Sequence, residues 1–269
     1  MDWVEVDGVS LRYELAGSGA NTIVLVHEMG GSLETWDDML PALVKHWRVL
    51  RYDTREAGFS EKTGHVPDIA TMTNEIAGLL DALNITAPVA IAGCALGGAI
   101  AMHFAASHPQ RTAALMAMSP ATIVASDLRA ATLARADKAE QEGMRSVTDG
   151  IFDLAYPPAL RGNADRYRIA RARLLGVHPA SFAVIYRMLA GTDLTADLAR
   201  IRCPTLVVAG AYDQLRTPAH LRTIASQIPG AQFEIIESGH YIPVQTPEIA
   251  VEMLSQLLGR AGFRGEHHV

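Results

Sequence analysis

The sequence is poor in cysteine and has no long run of apolar residues or of one charge. Its two cysteines among 269 residues, Cys94 and Cys203, each lie beside a predicted core strand. Two such thiols argue against a disulfide framework and favour a reducing, cytoplasmic compartment. No apolar run is as long as a membrane span, and the acidic, alternating residues 1–7 are unlike a signal peptide. The net charge is −6, with no long run of one sign, so we expect neither a membrane nor a nucleic acid as partner.

Apolar residues are abundant, at 49% of the chain against 19% charged. This composition and length predict one α/β domain, or such a domain with an insertion. Strand-like and helix-like segments alternate, which predicts a mostly parallel sheet with helices on both faces. The hairpin strands are expected at 2–7 and 10–15, later strands at 22–27, 48–53, 112–119, 205–209 and 232–236, and helices at 71–83 and 247–258.

The alternation stops between about 124 and 196. Apolar residues there recur at helical spacing, which predicts helices at 126–142, 144–155, 164–175 and 179–190. We therefore predict that residues 1–123 and 197–269 form the core of the molecule. Residues 124–196 would form a helical cap over the carboxyl edge of the sheet.

The segment 89–98 has the pattern of a nucleophile elbow without its nucleophile. It is predicted to be a buried strand, a sharp turn and a helix start. In the pattern Gly-x-Ser-x-Gly the serine occupies a strained turn with its hydroxyl above the sheet. The flanking glycines here are Gly93 and Gly97, so the nucleophile position is Ala95. Alanine has no group that can attack a carbonyl, and covalent acyl chemistry should be absent.

Cys94 is a poorer candidate for the nucleophile. Small residues would then be needed at 92 and 96, but Leu96 is bulky and Cys94 is one residue out of phase. We interpret Cys94 as a small buried residue beside the turn. Two interpretations of Ala95 stay open. It replaces a serine, as in a protein altered to hold an uncleaved ligand, or the chain is a naturally non-catalytic relative.

Five motifs in order resemble an α/β-hydrolase with a helical cap, most similar to the branch of 3-oxoadipate enol-lactonases and cofactor-free haloperoxidases. The resemblance covers nearly the whole chain and implies a sheet of about eight strands. Each motif alone is weak, whereas all five in this order are a strong signal. They are 27–32 (HEMGGS), 52–60 (YDTREAGFS), the elbow at 93–97, 210–213 (GAYD) and 238–240 (SGH).

The order of nucleophile, acid and histidine is that of these hydrolases. Asp213 follows a predicted strand and His240 follows the last one, so both are expected at the carboxyl edge. His240 would accept the proton of a serine hydroxyl at position 95, and Asp213 would hold the imidazole tautomer. The oxyanion hole would use the backbone N–H of Leu96 and, by resemblance, that of Met29.

The chain departs from the family at Glu28 and Glu56, where glycine is usual. Glu28 could hydrogen-bond substrate or water, or pair with a nearby arginine, and we favour the pairing. One arginine of the stretch 161–173 could bind a substrate carboxylate, since the guanidinium fork suits that group. The candidate substrate-binding residues are Glu28, Tyr156, Tyr186 and Ile242.

These residues predict a serine-type hydrolase scaffold for a small carboxylic ester or lactone, acting through an acyl-enzyme and inactive with Ala95. No metal and no organic cofactor are expected, and the partner is a small molecule that could bear a carboxylate. Two alternatives stay open. One is C–C bond or amide hydrolysis, or perhydrolysis, on the same triad, and the other is a non-catalytic ligand-binding relative. The sequence does not decide the oligomeric state.

Overall fold

The computed structural model describes residues 1–263 and 265. Within them lies one sheet with the strand order β1-β2-β4-β3-β5-β6-β7-β8. The pairs β1–β2 and β2–β4 are antiparallel and the other neighbours are parallel. The eight-stranded, mostly parallel sheet is thereby confirmed. The strands are β1 (Asp2–Val6), β2 (Val9–Ala16), β3 (Thr22–Val26), β4 (Arg48–Tyr52), β5 (Val89–Cys94), β6 (Thr112–Met118), β7 (Thr205–Gly210) and β8 (Gln232–Ile236).

The helices predicted at 71–83 and 247–258 lie within two residues of their predicted limits, and the sheet region contains further helices. The helices of this region are α1 (Leu40–Leu43), α2 (Ile69–Ala82), α3 (Leu96–Ser107), α9 (Pro218–Ser226), α10 (Ile242–Gln245) and α11 (Pro247–Arg260), with short 3₁₀ turns at Leu33–Trp36 and Pro109–Arg111. The helix predicted at 71–83 begins two residues earlier because Asp68 caps it, its side chain accepting a hydrogen bond from the Thr71 N–H at 2.7 Å.

The regular secondary structure of residues 124–196 is helical. They form α4 (Ser126–Glu142), α5 (Arg145–Ala155), α6 (Ala164–Leu175), α7 (Pro179–Gly191) and α8 (Thr195–Leu198), with a 3₁₀ turn at Pro158–Leu160. A single antiparallel bridge joins Ile123 to Asp193 where the stretch leaves and rejoins the sheet region. The division into core and cap remains a prediction, and residues 264 and 266–269 of the predicted core lie outside the described part of the chain.

Two apolar clusters cover the two faces of the sheet. One includes Val24, Ile91 and Ile100, and the other includes Leu25 and Met116. Alternate residues of a strand point to opposite faces, so a strand covered on both sides is apolar at nearly every position. Every residue of β3, β5 and β7 is buried. This packing fixes the carboxyl ends of the central strands, where the candidate site lies.

No single helix of the described chain has the length and apolar character needed to cross a membrane. The pair 164–175 and 179–191 meets that test only when its two helices are taken together, and they meet at a 90° bend.

Candidate active site

The elbow has its strained backbone even though its side chain is alanine. Ala95 connects β5 to α3 with φ 51° and ψ −111°, a conformation that residues with a Cβ rarely adopt. The two flanking glycines permit this close approach. A Cβ on Gly93 would lie 2.7 Å from Gly98 N and closer still to Gly97 O. The backbone therefore presents the Cβ of residue 95 as an elbow presents its nucleophile.

Asp213 and His240 form a buried acid–base pair. Asp213 Oδ2 lies 2.8 Å from His240 Nδ1, and its Oδ1 accepts the N–H groups of Leu215 at 2.8 Å and Arg216 at 2.9 Å. Burial by itself raises the pKa of Asp213, but the His240 charge and these hydrogen bonds outweigh it and lower the pKa below its usual value. The carboxylate is thus ionised and fixed against one ring nitrogen, leaving Nε2 for chemistry.

The loop that carries His240 is held on both sides by one side chain. Gln245 Oε1 accepts the N–H of Gly239 at 3.1 Å and of Tyr241 at 3.0 Å, and its Nε2 donates to Ala155 O at 3.0 Å. The His240 N–H also donates to Ala155 O, at 2.9 Å. Because Ala155 ends α5, the histidine loop and the helical stretch are fixed to each other.

A cavity of about 400 Å³ brings most of the predicted site residues together. Its walls combine the carboxyl edge of the sheet with side chains of α4, α5, α6 and α7. Asp213 lies behind His240, as a residue that orients the imidazole would. The predicted residues that line it are Glu28, Met29, Ala95, Leu96, Tyr186 and His240.

Two of the predicted substrate-binding residues, Tyr156 and Ile242, are not among the described residues that line this cavity. Tyr156 is 1% exposed and stacks on Phe152 within the helical stretch. Ile242 is fully buried in the apolar cluster on one face of the sheet. Both side chains are used for packing, so the sequence interpretation of Tyr156 and Ile242 as substrate-binding residues is corrected here.

The loop after β3 is held in place by His27. His27 Nε2 accepts the Thr54 N–H at 3.1 Å, so the ring proton is on Nδ1, which lies 2.7 Å from Glu28 O. This bond ties the loop after β3 to the residues after β4. Leu96 is the first residue of α3, and the first N–H groups of a helix have no intrahelical acceptor. Met29 and Leu96 both line the cavity, which is compatible with their predicted use as oxyanion donors.

Cys94 is a buried packing residue and does not belong to the described cavity lining. It is fully buried, and its Sγ donates to His240 O at 3.5 Å. Burial, and after it the charges of Glu28 and Asp213, raise the pKa of this thiol well above its usual value. Since the thiolate is the nucleophilic form, Cys94 is unsuited to attack.

Glu28 and Glu56 are buried carboxylates, each with one oxygen left without a partner in the described chain. Glu28 Oε1 accepts from Thr35 Oγ1 at 3.1 Å, so the arginine pairing that we favoured is wrong. Glu56, at φ 66°, accepts from Thr63 Oγ1 at 2.9 Å and Gly64 N at 2.8 Å. Glu56 does not line the cavity of about 400 Å³ in the described chain but lines a neighbouring one of about 260 Å³, and the two share Met29, Leu96 and Phe182.

The arginines of 161–173 are engaged with carboxylates elsewhere and are outside the described lining of the larger cavity. Arg166, for example, lies 3.5 Å from both Asp38 and Glu248. Arg173 lines the neighbouring cavity of about 260 Å³, so the expectation that one arginine of this stretch binds a substrate carboxylate stays a prediction. The pairs are Arg161–Asp153, Arg166–Asp38, Arg166–Glu248, Arg168–Asp165, Arg171–Asp149 and Arg173–Asp37.

Two other arginines line the cavity and were missed by the sequence reasoning. Arg135 Nη1 donates to the Tyr186 hydroxyl at 3.0 Å, and Arg216 Nη1 donates to Leu215 O at 2.8 Å. Burial lowers the pKa of Arg216 despite the nearby Asp213, and its buried Nε has no partner among the described residues. The sequence signal that Arg216 belongs to the site was its position three residues after Asp213. Nothing in the sequence indicated that Arg135, on α4, lines the cavity.

The described residues contain no group of three or more His, Cys, Asp or Glu side chains arranged to hold a metal ion.

The match to the alpha/beta hydrolase fold family spans residues 21–247, and the chain therefore belongs to that family. A curated relative, 3-oxoadipate enol-lactonase 1 of Acinetobacter baylyi, is 27% identical over 92% of this chain and 92% of its own. A putative carbamate hydrolase of a Caulobacter species is 29% identical over 90% of this chain and 92% of its own. The solved enol-lactonase of Burkholderia xenovorans superposes with a TM-score of 0.91, at 27% identity, over 96% of this chain and all of that one. The resemblance to the enol-lactonase branch is confirmed.

Proposed function

We infer that this chain is a hydrolase scaffold for a small carboxylic ester or lactone, whose acyl-enzyme route is blocked at Ala95. The observation that carries the proposal is the Asp213–His240 pair at 2.8 Å, on a cavity that also holds the strained elbow. A cost of about 1–3 kcal/mol for such a backbone is expected to persist only where the surrounding structure enforces it. The elbow geometry supports a site built for a nucleophile at this position.

With serine at position 95, the catalytic steps follow from the groups present. The hydroxyl would attack the carbonyl carbon while His240 Nε2 accepts its proton, and Asp213 would stabilise the imidazolium. The N–H groups of Leu96 and Met29 would stabilise the oxyanion. His240 would then return the proton to the leaving alcohol, and water would hydrolyse the acyl-enzyme. With Ala95 the first bond cannot form, so this route stops at substrate binding.

The proposal includes a substrate that bears a carboxylate. We propose that Arg135 and Arg216 bind this group, in place of an arginine of 161–173. Both guanidinium groups line the cavity and neither is in an ion pair within the described chain. A ligand carboxylate would give Arg216 Nε the acceptor that the protein does not supply. A cytoplasmic location, expected from the two thiols, remains part of the proposal.

Two alternatives use the same geometry. Amide or C–C bond hydrolysis would need the same pair and oxyanion donors, and one relative, of Xenorhabdus hominickii, is a pyrrolizixenacetamide deacetylase at 24% identity over 96% of this chain and 98% of its own. The second alternative is a ligand-binding protein without catalysis, which Ala95 itself favours.

The test is Ala95→Ser, assayed with short activated esters and lactones, together with Cys94→Ser as the matched control. The two variants place a serine hydroxyl at adjacent positions, in place of a hydrogen at 95 and of the thiol at 94, but Ala95 lines the cavity and Cys94 does not belong to its described lining. Ala95→Ser should hydrolyse esters and Cys94→Ser should not. Inactivity of Ala95→Ser towards esters, lactones, amides and diketones would favour the binding-protein alternative.

A further inference from the structure

Glu28 is a buried carboxylate in the cavity wall with only one of its oxygens engaged. The residue is 8% exposed and lines the cavity. Thr35 Oγ1 donates to its Oε1 at 3.1 Å, and the described chain places no donor within hydrogen-bond distance of the buried Oε2. A carboxylate oxygen without a donor has lost its hydration without compensation. This wall therefore favours a ligand that brings a hydrogen-bond donor to it.

Glu28 and position 95 line the same cavity. Glu28 directly precedes Met29, and both share the cavity with Ala95. After burial, the Glu28 charge is the next contribution that raises the pKa of Cys94, beside Ala95, and of Tyr241, beside His240. A charge felt on both sides of the candidate triad is close to the reacting end of a bound ligand.

The cations of the cavity leave this charge uncompensated. Arg135 is bonded to the Tyr186 hydroxyl and Arg216 to a backbone carbonyl, and neither is a hydrogen-bond partner of Glu28 in the described chain. The cavity thus offers an acceptor at the elbow and unpaired cations at other points of its wall. A purely apolar ligand would leave Glu28 Oε2 and Arg216 Nε without a partner.

We propose that Glu28 binds a hydroxyl or ammonium group of the ligand beside position 95, so that the cavity takes small polar molecules carrying a hydrogen-bond donor at that end. A hydroxyl would donate one charge-assisted hydrogen bond, and an ammonium group would add a direct charge attraction in a site of low dielectric constant. The inference rests on the proposed function only in taking this cavity as the ligand site.

The test measures binding to the protein with Ala95 by ligand-observed NMR titration of three probes of equal chain length. The probes are n-butylammonium, n-butanol and 1-chlorobutane, which carry a charged donor, a neutral donor and no donor. We expect the affinities to fall in that order. Glu28→Gln keeps the side-chain size but removes the charge, and it should weaken n-butylammonium binding about tenfold or more. It should weaken n-butanol binding less and leave 1-chlorobutane unchanged.

Glu56→Gln is the matched control, because Glu56 is also buried with one unpartnered oxygen but lines the other cavity. It should leave all three affinities unchanged. The inference is overturned if Glu28→Gln binds n-butylammonium as well as the parent does, or if the parent binds 1-chlorobutane as tightly as n-butylammonium or binds none of the probes. The parent comparison stands even if Glu28→Gln does not fold.

The ester assay of Ala95→Ser is scored separately. Donor-selective binding with an inactive Ala95→Ser variant would refute the proposed function and leave this inference intact. An active Ala95→Ser variant without donor-selective binding would support the proposed function and refute this inference.

Discussion

Gly97 is the residue at which the elbow is most sensitive to a single added carbon. A Cβ at this position would lie 2.5 Å from His27 O and closer still to Val26 O, whereas real Cβ atoms essentially never come within 3.0 Å of another heavy atom. Both acceptors are backbone atoms at the end of β3, so neither can rotate away. Gly97→Ala must therefore push α3 away from β3 by about an ångström to relieve the contact with Val26 O.

The expected cost follows from two opposing contributions. Overpacking against rigid backbone costs about 3 kcal/mol, and replacing glycine by alanine in a helix returns about 0.5–1 kcal/mol. The net loss is about 2 kcal/mol of unfolding free energy, or roughly 5 °C in the unfolding temperature of a domain of this size. Since α3 begins with Leu96, the same displacement moves a proposed oxyanion donor.

Gly150→Ala is the matched control. Gly150 is exposed in the interior of α5, and a Cβ there would meet nothing within 4 Å. This variant should gain about 0.5–1 kcal/mol and unfold at a slightly higher temperature. Thermal unfolding followed by circular dichroism measures both. A Gly97→Ala protein as stable as Gly150→Ala would refute the reasoning about the elbow.

Four further outcomes are expected. Ala95→Ser should gain ester hydrolysis on the order of 10⁶-fold in kcat, by the magnitude measured when subtilisin loses its nucleophile, and adding His240→Ala should abolish it. That activity should fall at acid pH because a protonated imidazole cannot accept the serine proton, and rates measured across pH would show this. The pKa of Asp213 is lowered in the fold, so its contribution to stability is present above the unfolded value of about 3.9 and is lost as pH falls through the lower folded value. Asp213→Asn should remove that part of the acid loss in thermal unfolding below about pH 4, and an unchanged pH profile there would contradict the assignment. Gln245→Leu should lower kcat of the Ala95→Ser protein more than it raises KM, because two N–H groups beside His240 lose their acceptor; a change in KM alone would argue against a positioning role. Arg216→Gln should weaken binding of butanoate to the Ala95 protein about tenfold, measured by calorimetry, whereas equal affinity would exclude Arg216 as the carboxylate anchor.

Local chain properties determined much of the fold. The buried strand at 22–27 and the helix near 71–83 follow from side-chain periodicity, and their observed limits differ from the predicted ones by at most two residues. The elbow was recognisable because Gly93 and Gly97 leave space that no other residue can leave. The pairing of Asp213 with His240 could be expected because each follows a parallel strand whose carboxyl end must reach one edge of the sheet.

Only the tertiary structure decided which side chains face the cavity. Tyr156 has the chemistry of a binding residue but stacks inside the helical stretch, whereas Arg135 reaches the cavity because α4 packs along α7. Glu28 was expected to pair with a nearby arginine, but packing gives its Oε1 the hydroxyl of Thr35 as partner. The physical reason is that periodicity is a property of one segment, whereas the partner of a charge depends on segments far apart in sequence that packing brings together.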